Sequence, residues 1–103
     1  MINVEYVYKI DAKNLPTINE YTENFKDIYS QFIKYNLQNK QVTEFYLNKV
    51  GRWDIVFSDK KKVKLPENNY GISLKNFFEI EKKPEFNEFK IFDYRVQDKL
   101  ILE

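Results

Sequence analysis

The reading of residues 50–66 decides the fold: Val50-Gly51-Arg52-Trp53-Asp54-Ile55-Val56-Phe57-Ser58-Asp59-Lys60-Lys61-Lys62-Val63-Lys64-Leu65-Pro66. Successive side chains of an extended chain point to opposite faces. Trp53, Ile55 and Phe57 therefore share one face, and Arg52, Asp54 and Val56 the other. Ser58-Asp59-Lys60 is a turn. Residues 61–65 form a second strand with Val63 and Leu65 inward, and Pro66, which has no N–H for a ladder, ends it. Val50-Gly51 marks the tight turn on the other side, and residues 42–48 alternate upstream of it. Short alternating strands joined by tight turns make an antiparallel sheet with one apolar face.

Working outward, residues 4–10 alternate and are rich in β-formers, so they read as a first strand. Asp11-Ala12-Lys13-Asn14 is a turn, and Leu15 before Pro16 is extended. Residues 20–37 are the main helix: Tyr21, Phe25, Ile28, Tyr29 and Phe32 recur at helical spacing and Leu37 extends the stripe. Thr17 and Glu20 are spaced as a capping box just upstream, and Asn36, Asn39 and Lys40 suit the exit. Residues 73–81 give a short helix with Leu74, Phe77 and Phe78 on one stripe and Ser73 as N-cap. Lys82-Lys83-Pro84 stops it. Residues 88–96 read as a long strand and 99–102 as a closing one, separated by Gln97-Asp98. The fold class is α+β: a mainly antiparallel sheet, one long and one short helix packed on one face, and edge strands at the C-terminus. One domain spanning 1–103 accounts for the whole chain.

Composition narrows the function. Seventeen basic and sixteen acidic residues leave a net charge of +1, so no strong field concentrates nucleic acid. Arg52 and Arg95 are the only arginines, which further disfavours phosphate recognition. The chain has no Cys and no His. Thiol nucleophiles, the usual structural zinc sites and histidine acid–base chemistry are thereby excluded, and no metal or cofactor is expected. Two glycines, Gly51 and Gly71, cannot build a phosphate-cradling loop. No apolar run reaches the ~20 residues of a membrane span, and the first residues do not read as a signal peptide.

Each candidate site has a plainer reading beside it. Glu79 with Glu81, or Glu88 with Asp93, are the carboxylate pairs available to acid–base chemistry; solvated surface acids are the default, and the chain is not expected to be an enzyme. The run Lys60-Lys61-Lys62, continued by Lys64, reads as a solvated face that discourages edge-to-edge aggregation. Trp53 is either a core residue or an interface anchor, and its face-mates Ile55 and Phe57 favour the core. Asp93 and Arg95 lie about 6.5–7 Å apart on one strand face. That spacing suits an internal ion pair or an arginine offered to a partner's acid.

Several segments together resemble one family. Gly51 to Phe57, with its strand Trp, is followed by Lys62-Val63-Lys64-Leu65-Pro66-Glu67, then by a helix with Leu74 and Phe77. The end is Ile91-Phe92-Asp93-Tyr94-Arg95-Val96-Gln97-Asp98-Lys99-Leu100-Ile101-Leu102. This order is similar to the C-terminal β domain of the FtsQ/DivIB cell-division proteins, from about residue 4 to the end. Tyr94 stands where Leu is usual, Val96 where an aromatic is common, and Lys60-Lys61 in a turn that often carries Gly.

The resemblance implies a non-catalytic scaffold at the division septum, on the periplasmic side of the inner membrane. It implies FtsB-like and FtsL-like partners, and a parent protein anchored in the cytoplasmic membrane whose membrane helix and POTRA domain lie outside 1–103. The family's partner segment docks along the last strands. That implies contacts from Arg95, Val96, Asp98, Lys99, Leu100 and Ile101, with Arg52 nearby. An exposed edge strand is suited to this by its unpaired backbone groups. The alternative is a small α+β protein-binding adaptor unrelated to division.

Overall fold

A computed structural model describes residues 4–9, 23–48 and 50–103, with side chains from Phe25 onward. The order is β1 (Val4–Lys9), α1 (Glu23–Tyr35), β2 (Val42–Asn48), β3 (Trp53–Phe57), β4 (Lys62–Lys64), α2 (Tyr70–Ile80), a 3-10 turn (Pro84–Phe86), β5 (Ile91–Asp93) and β6 (Ile101–Leu102). The α+β class is as expected. Residues 11–17 and 20–22, which carry the expected turn, capping box and Tyr21, lie outside the described residues.

The six strands form one sheet in chain order, β1-β2-β3-β4-β5-β6. Every neighbouring pair is antiparallel except β4 and β5. A parallel pair needs a long crossover, and α2 supplies it. Trp53, Ile55 and Phe57 are all buried, as their alternation requires, and Val63 and Leu65 join them. Trp53 is thus a core residue. In β2, Phe45 and Leu47 face the same way, but the register shifts between Val42 and Glu44. The bulge turns Val42 inward opposite Phe57 and leaves Thr43 to donate its hydroxyl to the Val56 carbonyl at 3.1 Å.

Both helices cover this apolar face. Phe25, Ile28, Tyr29 and Phe32 of α1 and Leu74 and Phe77 of α2 merge with the strand residues into a single core. The core is largely aromatic: Phe45 meets Phe25 and Phe32 edge-on at 5.3 Å, and Phe77 stacks on Phe57 at 5.2 Å and meets Phe92 edge-on at 5.0 Å. Such offset and edge contacts are the favoured geometry of ring quadrupoles.

Several boundaries differ from the sequence reading. Helix α1 stops at Tyr35, and Leu37 is 85% exposed instead of extending the buried stripe. The Asn36 side chain stops the helix by bonding the Lys40 backbone in both directions. Helix α2 starts at Tyr70, not at Ser73, behind Asn69 in the left-handed region. The terminal strands are short, 91–93 and 101–102 in place of 88–96 and 99–102. The 3-10 turn ends at Phe86 and the turn continues through Glu88, which delays the first, and Asp98 at φ 60 turns the chain between them. The lysine run is not wholly solvated either: Lys61 is buried, and so is Glu81.

Candidate functional site

Strand β6 is the outermost strand at the C-terminal side of the sheet. Glu103 and Ile91 exchange both backbone hydrogen bonds at 3.0 Å, and Asp93 stands opposite Ile101. In an antiparallel ladder the bonded pairs alternate with non-bonded ones. Ile101 and Glu103 therefore turn their backbone groups toward β5, while Leu102, opposite Phe92, turns its N–H and C=O away from the sheet. The open backbone of the edge belongs to Leu102, whose side chain meanwhile packs against the core.

Beside this edge lies a groove of about 790 Å3 between the 94–100 loop and the start of α2. It brings together Arg52, Arg95, Val96, Asp98, Lys99 and Leu100. Ile101 stands apart, 41% exposed on β6. Pro66, Asn69, Ile72 and Asn76 also line it, and the sequence reading placed none of these four at the site. Ile72 carried a signal: it is apolar yet falls off the Leu74–Phe77 stripe, and it is 73% exposed. The loop is tied to α2 by Tyr94, whose hydroxyl donates to Asn76 Oδ1 at 2.7 Å. Burial pushes the Tyr94 phenol well above its ordinary pKa, so it stays a donor.

Arg95 is held from below. Its Nε and Nη2 donate to the two carboxylate oxygens of Asp93 at 2.9 and 2.8 Å, and its backbone N–H donates to the same carboxylate at 3.0 Å. Burial alone would raise the Asp93 pKa, but these bonds outweigh it and hold the carboxyl below its usual range. The bond to Asp93 likewise raises the Arg95 pKa. This is the internal ion pair that the two-residue spacing allowed. It also orients the guanidinium on the wall of the groove, with the Arg95 side chain 39% exposed. Arg52 reaches the same groove from the start of β3, where its N–H donates to Asn48 Oδ1 at 2.9 Å across the β2–β3 turn.

Glu81 is buried and pairs with Lys61 and Lys40, Glu79 and Glu88 are exposed, and Asp93 is engaged by Arg95. Among the described residues no group of acids could hold a metal ion, and no helix is long and apolar enough to cross a membrane.

No curated protein and no solved structure matches the chain. One family does: the model described as cell division protein FtsQ/DivIB, C-terminal, matches residues 4–95. The match runs from β1 to Arg95 and leaves the 96–103 tail, with β6, beyond it. A match over nearly the whole sheet and both helices means that this chain belongs to the FtsQ/DivIB C-terminal family of cell-division proteins.

Proposed function

We propose that the chain is the non-catalytic, partner-holding β domain of an FtsQ/DivIB-type scaffold. It acts at the septum on the periplasmic side of the inner membrane and binds an FtsB/FtsL-type partner by strand addition at β6. The observation that carries this reading is the outermost position of β6 with the Leu102 backbone turned away from the sheet. The adjacent groove gives the partner a place to continue past the strand. Arg52, Arg95 and Lys99 offer it positive charge against Asp98 and Glu67, and Val96 and Leu100 offer apolar contact. Main-chain bonds supply affinity and the groove supplies selectivity.

The test measures binding of the periplasmic segment of the organism's own FtsB-type protein to three variants. Leu102→Pro removes the outward N–H, a change that edge strands tolerate, and is expected to abolish binding while far-UV circular dichroism stays native. Arg95→Gln is expected to weaken it by about tenfold, or roughly 1.4 kcal/mol. Ile33→Ser, on an exposed α1 position, leaves it unchanged. Binding undiminished in a folded Leu102→Pro protein overturns strand addition. A folded wild-type domain that does not bind the segment at all overturns the choice of an FtsB-type partner.

A further inference from the structure

A second surface lies where α1 ends against α2. Leu37 stands in water with 85% of its surface exposed, yet the loop that carries it is clamped. The buried Asn36 amide donates to the Lys40 carbonyl and accepts from the Lys40 N–H, both at 2.9 Å. The Leu37 N–H donates to the Tyr35 carbonyl at 3.0 Å and the Asn39 N–H to the Asn36 carbonyl at 3.2 Å, with Asn39 at φ 53. A large apolar side chain is thus held at a fixed place outside the core.

Leu37 forms one wall of a cleft of about 190 Å3 whose other apolar walls are Tyr35 and Phe78. This is below the roughly 300 Å3 at which small-molecule pockets begin; it suits a single large side chain better than a metabolite. Phe78 is fixed by Phe32 at 5.8 Å and Phe57 at 6.0 Å, so the floor is preformed.

The charge around the cleft is one-sided. Lys40 and Glu81 at its base compensate each other at 3.2 Å. Lys75 and Lys82 line the rim, and the Lys34 ammonium sits 5.2 Å from the centre of the Tyr35 ring. None of these three lysines makes an ion pair among the described residues. Glu79 is the one acid on the rim to oppose them.

We propose that the cleft between Tyr35, Leu37 and Phe78 is a second docking site, which takes an apolar side chain from an acidic peptide segment of a partner protein. The apolar anchor fills the recess and the acids meet Lys34, Lys75 and Lys82. Attraction of this kind speeds encounter and selects the partner. The site is separate from the C-terminal edge and shares no lining residue with its groove.

The experiment is a titration of the 15N-labelled chain, followed by amide shifts, with a short amphipathic peptide carrying Glu on one face and Leu and Phe on the other. Shifts are expected to cluster around Tyr35, Leu37, Lys75, Phe78 and Lys82. Affinity should fall about tenfold in K75E/K82E, and further when salt screens the charges. The same peptide with Lys for Glu should give no shifts. Shifts confined to the Arg52–Arg95 groove, shifts scattered over the surface, or equal binding of both peptides each overturn the proposal. Shifts at these residues from phosphatidylcholine–phosphatidylglycerol vesicles, with none from the acidic peptide, overturn it in favour of a lipid surface.

Discussion

The Lys61 ammonium lies 3.0 Å from Oε1 of Glu81 and 2.7 Å from the Glu81 main-chain carbonyl, joining the start of β4 to the end of α2 inside the protein. Both residues are buried, and the ammonium sits 5.8 Å from the Phe92 ring centre. Lys40 reaches the same carboxylate at 3.2 Å and also bonds Asp59. Two lysines and two acids therefore close one end of the sheet, where the sequence alone suggested a solvated face.

Removing one member of this cluster leaves a buried charge with fewer partners. Lys61→Met is expected to cost about 3 kcal/mol. The double variant K61M/E81L should recover most of that, because an apolar pair of similar volume needs no compensation. Urea unfolding of the wild type, both single variants and the double variant measures the coupling. Additive single effects would show that the two residues act independently.

Acid should loosen the base of the groove. The folded Asp93 carboxyl titrates below its ordinary value of 3.8, so the Arg95 pair stabilises the fold fully above that value. The contribution is lost as pH falls through the lower folded pKa. At neutral pH Asp93→Asn should cost about 1 kcal/mol, a modest figure because the guanidinium is partly exposed. The difference from wild type should vanish at the acid end of a pH series of urea midpoints. Asp54 works the other way: burial raises its pKa against the pull of Lys62, Lys64 and Arg95, so its protonation favours the folded state as pH falls.

The two glycines should respond oppositely to alanine. Gly51 sits at φ +86 in the β2–β3 turn, a conformation that costs an L-residue roughly 1–2 kcal/mol. Gly51→Ala should lower stability by about that amount. Gly71 lies in the first turn of α2 at an ordinary φ, and an added Cβ would meet the Gln31 Oε1 at 2.9 Å and the Tyr35 ring at 3.5 Å. The Gln31 amide is the far end of a flexible side chain and can move. Gly71→Ala should therefore be neutral or stabilising by about 0.5 kcal/mol. Thermal unfolding of both variants checks the pair.

The amino-acid sequence alone determined the layers of this protein and much of its core. Strand alternation placed Trp53, Ile55, Phe57 and Val63 inward, and helical spacing did the same for Phe25, Ile28, Phe32, Leu74 and Phe77, because these periods are local properties of the backbone. The absence of Cys and His excluded thiol and histidine chemistry, and the ordered motifs from Gly51 to Leu102 carried the resemblance, of which the family match covers the part up to Arg95.

What only the tertiary structure decided depends on partners distant in the chain. Lys61 reads as surface until the end of α2 brings Glu81 to it. Leu37 reads as core until Asn36 captures the Lys40 backbone and ends the helix. The parallel pairing of β4 with β5 and the gathering of Arg52 with Arg95 across some forty residues follow from where α2 lands on the sheet. The direction of the Leu102 backbone follows from the β5–β6 register, which is set by hydrogen bonds between segments and not by either segment's own composition.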